Sequence, residues 1–292
     1  EFGGKTRGFH GDFETGTGDS RSAEYSLRIF PCFPCFPWLY FLLRSAAIIP
    51  AMSGQFDRRM QYPMAMHDTL PWQDIETVFL DMDGTLLDLH FDNHFWQEHV
   101  PLRYAEKHRL SLAQAKQELY PRFRSVEGTM DWYCIDYWSR ELDLDIAALK
   151  RELEHLISIH PHVAEFLQAL GNTGRRVALL TNAHQQVIEL KMASTGLARH
   201  FDHLICSHAF RVPKEDPRFW PKLAEQDRFD PQTTLFVDDS LPVLRAARDY
   251  GVRFLRAVAL PDTRSPPKHT EEFIAINSFN ELLEGLTESE NL

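Results

Sequence analysis

The chain has 292 residues, 43% of them hydrophobic, and a formal net charge of -11. That is enough apolar content for one sizeable α/β core with a smaller accessory unit. The negative balance argues against nucleic acid polymers as partners, since their phosphates need basic surfaces, but leaves room for a small anion, because one lysine and a bound cation can make a locally positive pocket. Four cysteines are too few and too scattered for a disulfide framework, which fits a reducing compartment.

Residues 1-72 read as a disordered or non-native N-terminal extension. Glu1 to Ser20 is Gly-rich, polar and aperiodic, as disordered segments are. Ile29 to Met52 is apolar but broken by Pro31, Pro34, Pro37 and Pro50, with Arg44 inside its longest clean piece. That piece is too short to span a bilayer as a helix, so no membrane role is expected. Arg21 and Arg28 ahead of it also allow a signal peptide. The preferred expectation is that translation begins at Met52, Met64 or Met66, and that residues before Met52 add nothing to folding. Cys32 and Cys35 have CxxC spacing but no second ligand pair. Cys134 and Cys206 are expected as packed thiols.

The first regular element is the apolar run Thr77-Val78-Phe79-Leu80, which predicts a buried parallel strand. Asp81-Met82-Asp83-Gly84-Thr85 follows at its C-terminal end, where open α/β sheets place their ligands. Side chains two apart on a strand point the same way, but Gly84 bends the chain and lets the two acids serve different tasks. One can attack as a nucleophile while the other shuttles a proton. A plain strand end closed by an Asp-Gly turn is the other reading of these residues.

From about Asp88 to Ser158 helical pattern replaces strand pattern. Helices are predicted at Asn93 to His108, after the N-cap Ser111, at Trp132 to Leu142 and at Ile146 to Leu156, with Gly128 breaking the second from the third. Trp132, Tyr133, Tyr137 and Trp138 fall at helical spacing and read first as core. Pro161 and Gly171 bracket the helix that returns to the core.

The rhythm is then βα. A strand at Val177 to Leu180 ends in Thr181-Asn182 and leads to a helix at Gln185 to Ser194, stopped by Gly196. A strand at His203 to Cys206 leads, past Lys214, to a helix at Pro217 to Glu225. The strand Thr234-Leu235-Phe236-Val237 ends in Asp238-Asp239-Ser240 and leads to Leu241–Tyr250, with Gly251 as its stop. A last strand is expected at Phe254 to Val258, and Ser278 with Glu281 predicts a capping box for the final helix. Alternating strands and helices imply a doubly wound parallel sheet. His184, His203 and His208 read as structural.

An Asp-x-Asp-x-Thr strand end, a Thr strand end, a Lys and an acidic pair after another strand occur here in one order. That ordered set, between about Asp74 and Val258, resembles the haloacid dehalogenase superfamily of phosphohydrolases. The resemblance implies a Rossmann-like α/β core of residues 73-88 and 159-292, with an inserted all-helical cap of residues 89-158. Three stretches, Asp88 to Trp96, Asp131 to Trp138 and Leu180 to His184, resemble more closely the bacterial 5'-nucleotidases of this superfamily that act on GMP and IMP.

The resemblance assigns Asp81 as the nucleophile that becomes an aspartyl phosphate, and Asp83 as the acid and base of the two half-reactions. Lys214, Thr181 and Asn182 would hold the phosphate, and Thr85 would shape the loop. Mg2+ would bind to Asp239, the Asp81 side chain and the Asp83 carbonyl, with Asp238 holding a metal-bound water. Hard divalent ions with few protein ligands behave this way. Asn93, Trp132 and Tyr133 are candidate substrate contacts, Asn93 at the edge of a base and an aromatic ring on its face. The expected enzyme is a cytoplasmic, Mg2+-dependent phosphomonoesterase for a purine nucleoside 5'-monophosphate. Alternatives are a phosphoglycolate or sugar phosphatase, a phosphomutase sharing all four motifs, and a non-catalytic binding protein, although no motif is missing. A true dehalogenase needs neither Asp83 nor the acidic pair.

Overall fold

Val78 and Leu80 pack into one apolar cluster and Phe79 into another, the alternation expected of a strand covered on both faces. The computed structural model of the protein describes residues 69–289. Expectations for the chain before that, including the proline-broken stretch and Cys32 and Cys35, lie outside the described residues, but the extension expected over residues 1-72 runs too far: Trp72 is 1% exposed, packs on Phe166 and opens a 3-10 turn, Trp72–Asp74. Six parallel strands form one sheet, β1 (Thr77–Leu80), β2 (Arg176–Thr181), β3 (His203–Cys206), β4 (Thr234–Asp238), β5 (Phe254–Val258) and β6 (Ala275–Ile276). Their spatial order is β3-β2-β1-β4-β5-β6, parallel at every pairing. The crossovers therefore reverse direction at β1, which is where a doubly wound sheet opens its ligand crevice. The register sets Leu80 beside both Leu179 and Val237, so Asp81, Thr181 and Asp238 emerge at one edge.

Ten α-helices accompany the described strands. Between β1 and β2 lie α1 (His90–His94), α2 (Val100–His108), α3 (Leu112–Ser125), α4 (Ile135–Leu142), α5 (Ile146–Glu152) and α6 (Val163–Gly171). After β2 come α7 (Gln185–Thr195), α8 (Phe219–Gln226), α9 (Leu241–Tyr250) and α10 (Phe279–Ser289). Residues of α6, α7, α10 and the helices α1 to α5 share a cluster with Val78, while α8 and α9 share the other with Phe79. The helical insertion leaves and re-enters through a narrow pair of chain segments. Leu87 bridges Ile159 antiparallel, the Asp88 N–H donates to Ser158 O, and the His160 N–H donates to Leu86 O.

Several boundaries differ from expectation, each for a local reason. The first helix begins at His90 and passes through a π-helical turn, Phe95–His99, into α2. Pro101 has no N–H to donate back to Gln97, and the Tyr120 hydroxyl supplies that carbonyl's partner at 3.3 Å,. The third helix starts at Ile135, three residues late, because the Cys134 thiol caps it by accepting from the Tyr137 N–H at 2.9 Å. The fourth ends at Glu152 and continues only as a 3-10 turn, Glu154–Leu156. Gly171 lies inside α6 rather than beyond it, and the left-handed glycine is Gly174 at φ 72°. The eighth helix begins at Phe219, after the Asp216 carboxylate has taken the Arg218 N–H. A sixth strand of two residues was too short to show a period. The capping box at Ser278 is replaced by a staggered arrangement: Ser278 accepts from the Asn280 N–H, and Glu281 reaches back to the Asn277 N–H.

The box at Ser111 is present in both halves, with Oγ accepting from the Gln114 N–H and the Gln114 side chain accepting from the Ser111 N–H. Ser111→Ala is expected to lower stability by ~1 kcal/mol, the usual worth of an exposed N-cap. Chemical denaturation of the two proteins measures it.

Candidate active site

Three strand ends converge. Asp81 follows β1 and keeps sheet contact through its N–H to Val237 O at 3.0 Å. Gly84, at φ 83°, turns the chain sharply, and its N–H closes on Leu87 O at 2.7 Å. A Cβ at Gly84 would lie 2.9 Å from Asp239 Cγ and 3.0 Å from Pro261 Cβ. Glycine here therefore serves both the backbone angle and the approach of Asp239. A cleft at this edge is lined by Asp81, Asp83, Thr181, Asn182, Lys214, Asp238, Asp239 and Ser240, with Ala183 and Val243.

Lys214 organises the cleft. Its Nζ is 2.5 Å from Asp81 Oδ1, 2.7 Å from Asp238 Oδ2 and 2.9 Å from Leu180 O, using all three ammonium protons. The lysine is 2% exposed. Its backbone is fixed from both sides: Asn182 Oδ1 accepts its N–H at 2.9 Å, and Trp220 Nε1 donates to its carbonyl at 3.1 Å. The other end of Asn182 donates to Glu215 Oε2 at 2.9 Å, and the Tyr133 hydroxyl donates to Glu215 Oε1 at 2.6 Å. Thr181 Oγ1 accepts from the Ala183 N–H at 3.0 Å and keeps its own proton to donate.

Burial raises the Asp81 carboxyl to about 7 against the pull of Lys214, with Asp238 and Asp239 adding to the rise. Asp83 is also raised to about 7, by burial opposed by Lys191, and Asp238 to about 6, by burial opposed by Lys214. For Lys214, burial is outweighed by Asp238 and Asp81, and the ammonium is held well above its ordinary range. Asp81, Asp238 and Asp239 place ligand oxygens within 4.8 Å of one another. An all-oxygen donor set of crowded carboxylates fits a hard divalent cation.

The residues read from sequence as catalytic, phosphate-binding and metal-binding thus meet in one cleft. Asn182 bridges Lys214 and Glu215 and acts on the site through them. The three substrate candidates fall outside that lining. Asn93 donates to Asp262 Oδ2 at 2.7 Å, on the loop after β5. Trp132 and Tyr133 are 6% and 1% exposed, so their rings are packed rather than open to stack on a base. Tyr133 reaches the cleft wall through its hydroxyl instead. His184 caps α7 by accepting from the Gln186 N–H, and burial with His208 nearby pushes it down to about 4. Cys206 donates to Ala183 O. Thr85 is wholly buried and its hydroxyl has no hydrogen-bond partner.

Sequence reading missed three contributors. Lys268 binds Asp239 through the carbonyl and, at 2.9 Å, through Oδ2. It lies in a proline-containing loop without motif. Ser240 Oγ is buried in the cleft with no partner, directly after the acidic pair. Lys191 Nζ is 2.5 Å from Asp83 Oδ1, although its place in α7 looks like any other helical lysine.

A haloacid dehalogenase-like hydrolase profile matches residues 75–251, and the chain belongs to that family. It is 40% identical over 221 residues, 76% of its length, to the whole of a protein named GMP/IMP nucleotidase YrfG from Escherichia coli K12. A phosphoglycolate phosphatase from Vibrio parahaemolyticus is 27% identical over 73% of this chain and 96% of its own. Among solved structures, a HAD phosphatase from Thermococcus onnurineus superposes with a TM-score of 0.62 at 21% identity, covering 72% of this chain and 97% of that one. At that identity the likeness is one of fold.

Two outcomes follow from the geometry. Gly84→Ala should cost at least ~1–2 kcal/mol from the left-handed backbone alone and should abolish turnover by displacing Asp239; thermal melts and kcat report both. The second concerns pH. Asp81 is raised in the folded state, so its stabilising contribution is complete below the ordinary carboxylate range and is lost as pH rises through about 7,. In excess chelator, Asp81→Asn should therefore gain stability over wild type between pH ~5 and ~8. Melts of the pair at both pH values test this, and the difference removes the opposite effect of His184.

Proposed function

We propose that the protein is a Mg2+-dependent phosphomonoesterase acting through Asp81, with a purine nucleoside 5'-monophosphate, GMP or IMP before AMP, as its substrate. The phosphatase part rests on the cleft itself, where two differently held aspartates meet a buried lysine and an acidic pair. The substrate part rests on one observation, the 40% identity over the full length of the Escherichia coli GMP/IMP nucleotidase.

Asp81 would attack phosphorus, forming its Oδ–P bond as the ester P–O bond breaks. The Thr181 hydroxyl would hold an equatorial oxygen, and the Lys214 ammonium, released from Asp81 as that carboxylate turns to phosphorus, would do the same, where phosphoryl transfer concentrates its charge. Asp83 would give its proton to the departing oxygen, then take one from the water that cleaves the aspartyl phosphate. Asp83 sits near neutrality, a suitable range for a group that must give up and regain a proton in turn.

Asp81 and Asp239, the Asp83 carbonyl and, through water, Asp238 would hold Mg2+. The ion would neutralise charge between the carboxylates and an arriving dianion. Without it the cleft sets Asp81, Asp238 and Asp239 against only Lys214 and Lys268, which leaves a dianionic phosphate repelled.

The helical insertion, residues 89-158 in this reading, would act as a cap that excludes water and contacts the part of the substrate remote from phosphate. Tyr133 joins that cap to the Lys214 loop through Glu215. The enzyme would work in the cytoplasm on a small metabolite. No helix among the described residues is long and apolar enough to cross a membrane.

Asp81→Asn should remove turnover by orders of magnitude while the fold survives, since the amide is isosteric and a poor nucleophile. Excess chelator should do the same, and full activity in either would overturn the phosphatase reading. A pocket donor matched to a 6-oxo purine should discriminate against AMP by at least ~10-fold, from the ~1–3 kcal/mol cost of an unpaired buried group. Comparing kcat/KM for GMP, IMP, AMP, CMP and phosphoglycolate tests it. A higher value for phosphoglycolate, the substrate named for the 27% relative, would overturn the nucleotide assignment alone.

A further inference from the structure

Lys214 and the cleft account for one side of the Asp81–Asp83 pair. Behind Asp83 runs a row of buried charges that the proposed chemistry does not use. Lys191, on α7, places Nζ 2.5 Å from Asp83 Oδ1 and 2.5 Å from Asp92 Oδ2. Asp92, on α1, uses Oδ1 to take Lys150 Nζ of α5 at 2.7 Å. The side chains of Lys191, Asp92 and Lys150 are each 1% exposed and that of Asp83 is 6% exposed. With Asp83 ionised the signs alternate along the row and sum to zero, and with Asp83 protonated one positive charge is left over. Aromatic faces line it, with Lys150 Nζ 4.4 Å from the Phe95 ring centre and Lys191 Nζ 4.9 Å from that of Phe91.

A buried ionic row is a poor way to gain stability, because desolvation offsets most of the attraction and a well-packed apolar substitute is often as stable. What it does supply is geometry, since each charge must stay where its partner lies. Asp83 and Lys191 belong to the α/β core, whereas Asp92 and Lys150 belong to the helical insertion. The row therefore ties one catalytic carboxyl to the placement of the insertion. Lys191 occupies Oδ1 of Asp83 and leaves Oδ2 for a proton.

We propose that Lys191 is a positioning residue for Asp83, clamping Oδ1 so that Oδ2 serves the departing oxygen, and that Asp92 and Lys150 anchor the clamp in the helical insertion. This rests on the reading of Asp83 as the acid and base of phosphomonoester hydrolysis. In the first step the Asp81 Oδ–P bond forms, the ester P–O bond breaks, and the Asp83 proton passes to the leaving oxygen. In the second, water's oxygen bonds to phosphorus, the P–O bond to Asp81 breaks, and a water proton returns to Asp83.

The discriminating measurement is kcat/KM, which covers the steps up to leaving-group departure. An alkyl phosphate such as a nucleoside 5'-monophosphate needs the proton, while p-nitrophenyl phosphate expels a stable phenolate without it. In Lys191→Met, kcat/KM for the nucleotide should fall ~100-fold or more, the range of a lost general acid. For p-nitrophenyl phosphate it should change by less than ~3-fold, since that leaving group needs no general acid. Lys191→Arg should restore part of the nucleotide rate. Equal loss on both substrates, or no loss on either, overturns the clamp. Should Lys191→Met fail to fold, the charge-balanced pair Asp92→Asn with Lys150→Met leaves Asp83 and Lys191 together. A loss greater on the nucleotide then supports the anchor, and an equal loss overturns it. Wild type inactive on both esters would instead refute the phosphatase reading.

Discussion

The interaction on which the site depends is the ammonium of Lys214 between Asp81 and Asp238. Parallel strands deliver these carboxylates to one edge of the sheet, where they are almost wholly buried. Unit charges a few ångströms apart repel by ~4 kcal/mol at 4 Å and an effective dielectric of 20, so the cluster requires a cation within it. The rest of the neighbourhood keeps that cation in place. Asn182 and Trp220 grip the Lys214 backbone, Glu215 grips Asn182, and Tyr133 carries the chain of contacts into the helical insertion.

The two aspartates that lie two positions apart are treated differently by the fold. Asp81 shares its lysine with Asp238 in the cleft, while Asp83 shares Lys191 with Asp92, away from it. Gly84 makes that separation possible, because only its left-handed turn directs the chain from β1 past Asp239 and on into the insertion. The asymmetry suits the proposed hydrolysis, in which one carboxylate would attack and the other would handle protons. The same arrangement makes the insertion part of the active site's construction, since Asp92, Lys150 and Tyr133 all come from it.

Much of the fold was legible in the chain because its signals are local. Apolar runs of four to six residues ended in Asp, Thr or Asp-Asp, and each became a parallel strand of the sheet. Gly196 and Gly251 mark the stops of α7 and α9, where the left-handed conformation favours glycine,. Local reading failed where a distant group decided the boundary. Tyr120 supports the turn before Pro101, and a thiol starts α4. The edge strand β6 exists only because β5 is beside it.

By itself the sequence determined the order of strands and helices, the family resemblance, and the motif residues that end up around the cleft, since each sits at a strand end or beside one. Only tertiary structure decided which lysine serves which aspartate. Lys191, Lys268 and Lys150 stand 108, 29 and 58 residues from the carboxylates they bind, and no helical or strand period extends that far. It also decided that Trp132 and Tyr133 are packed into the wall, because burial is a property of the assembled layers and an aromatic residue reads the same in sequence whether its face is open or covered.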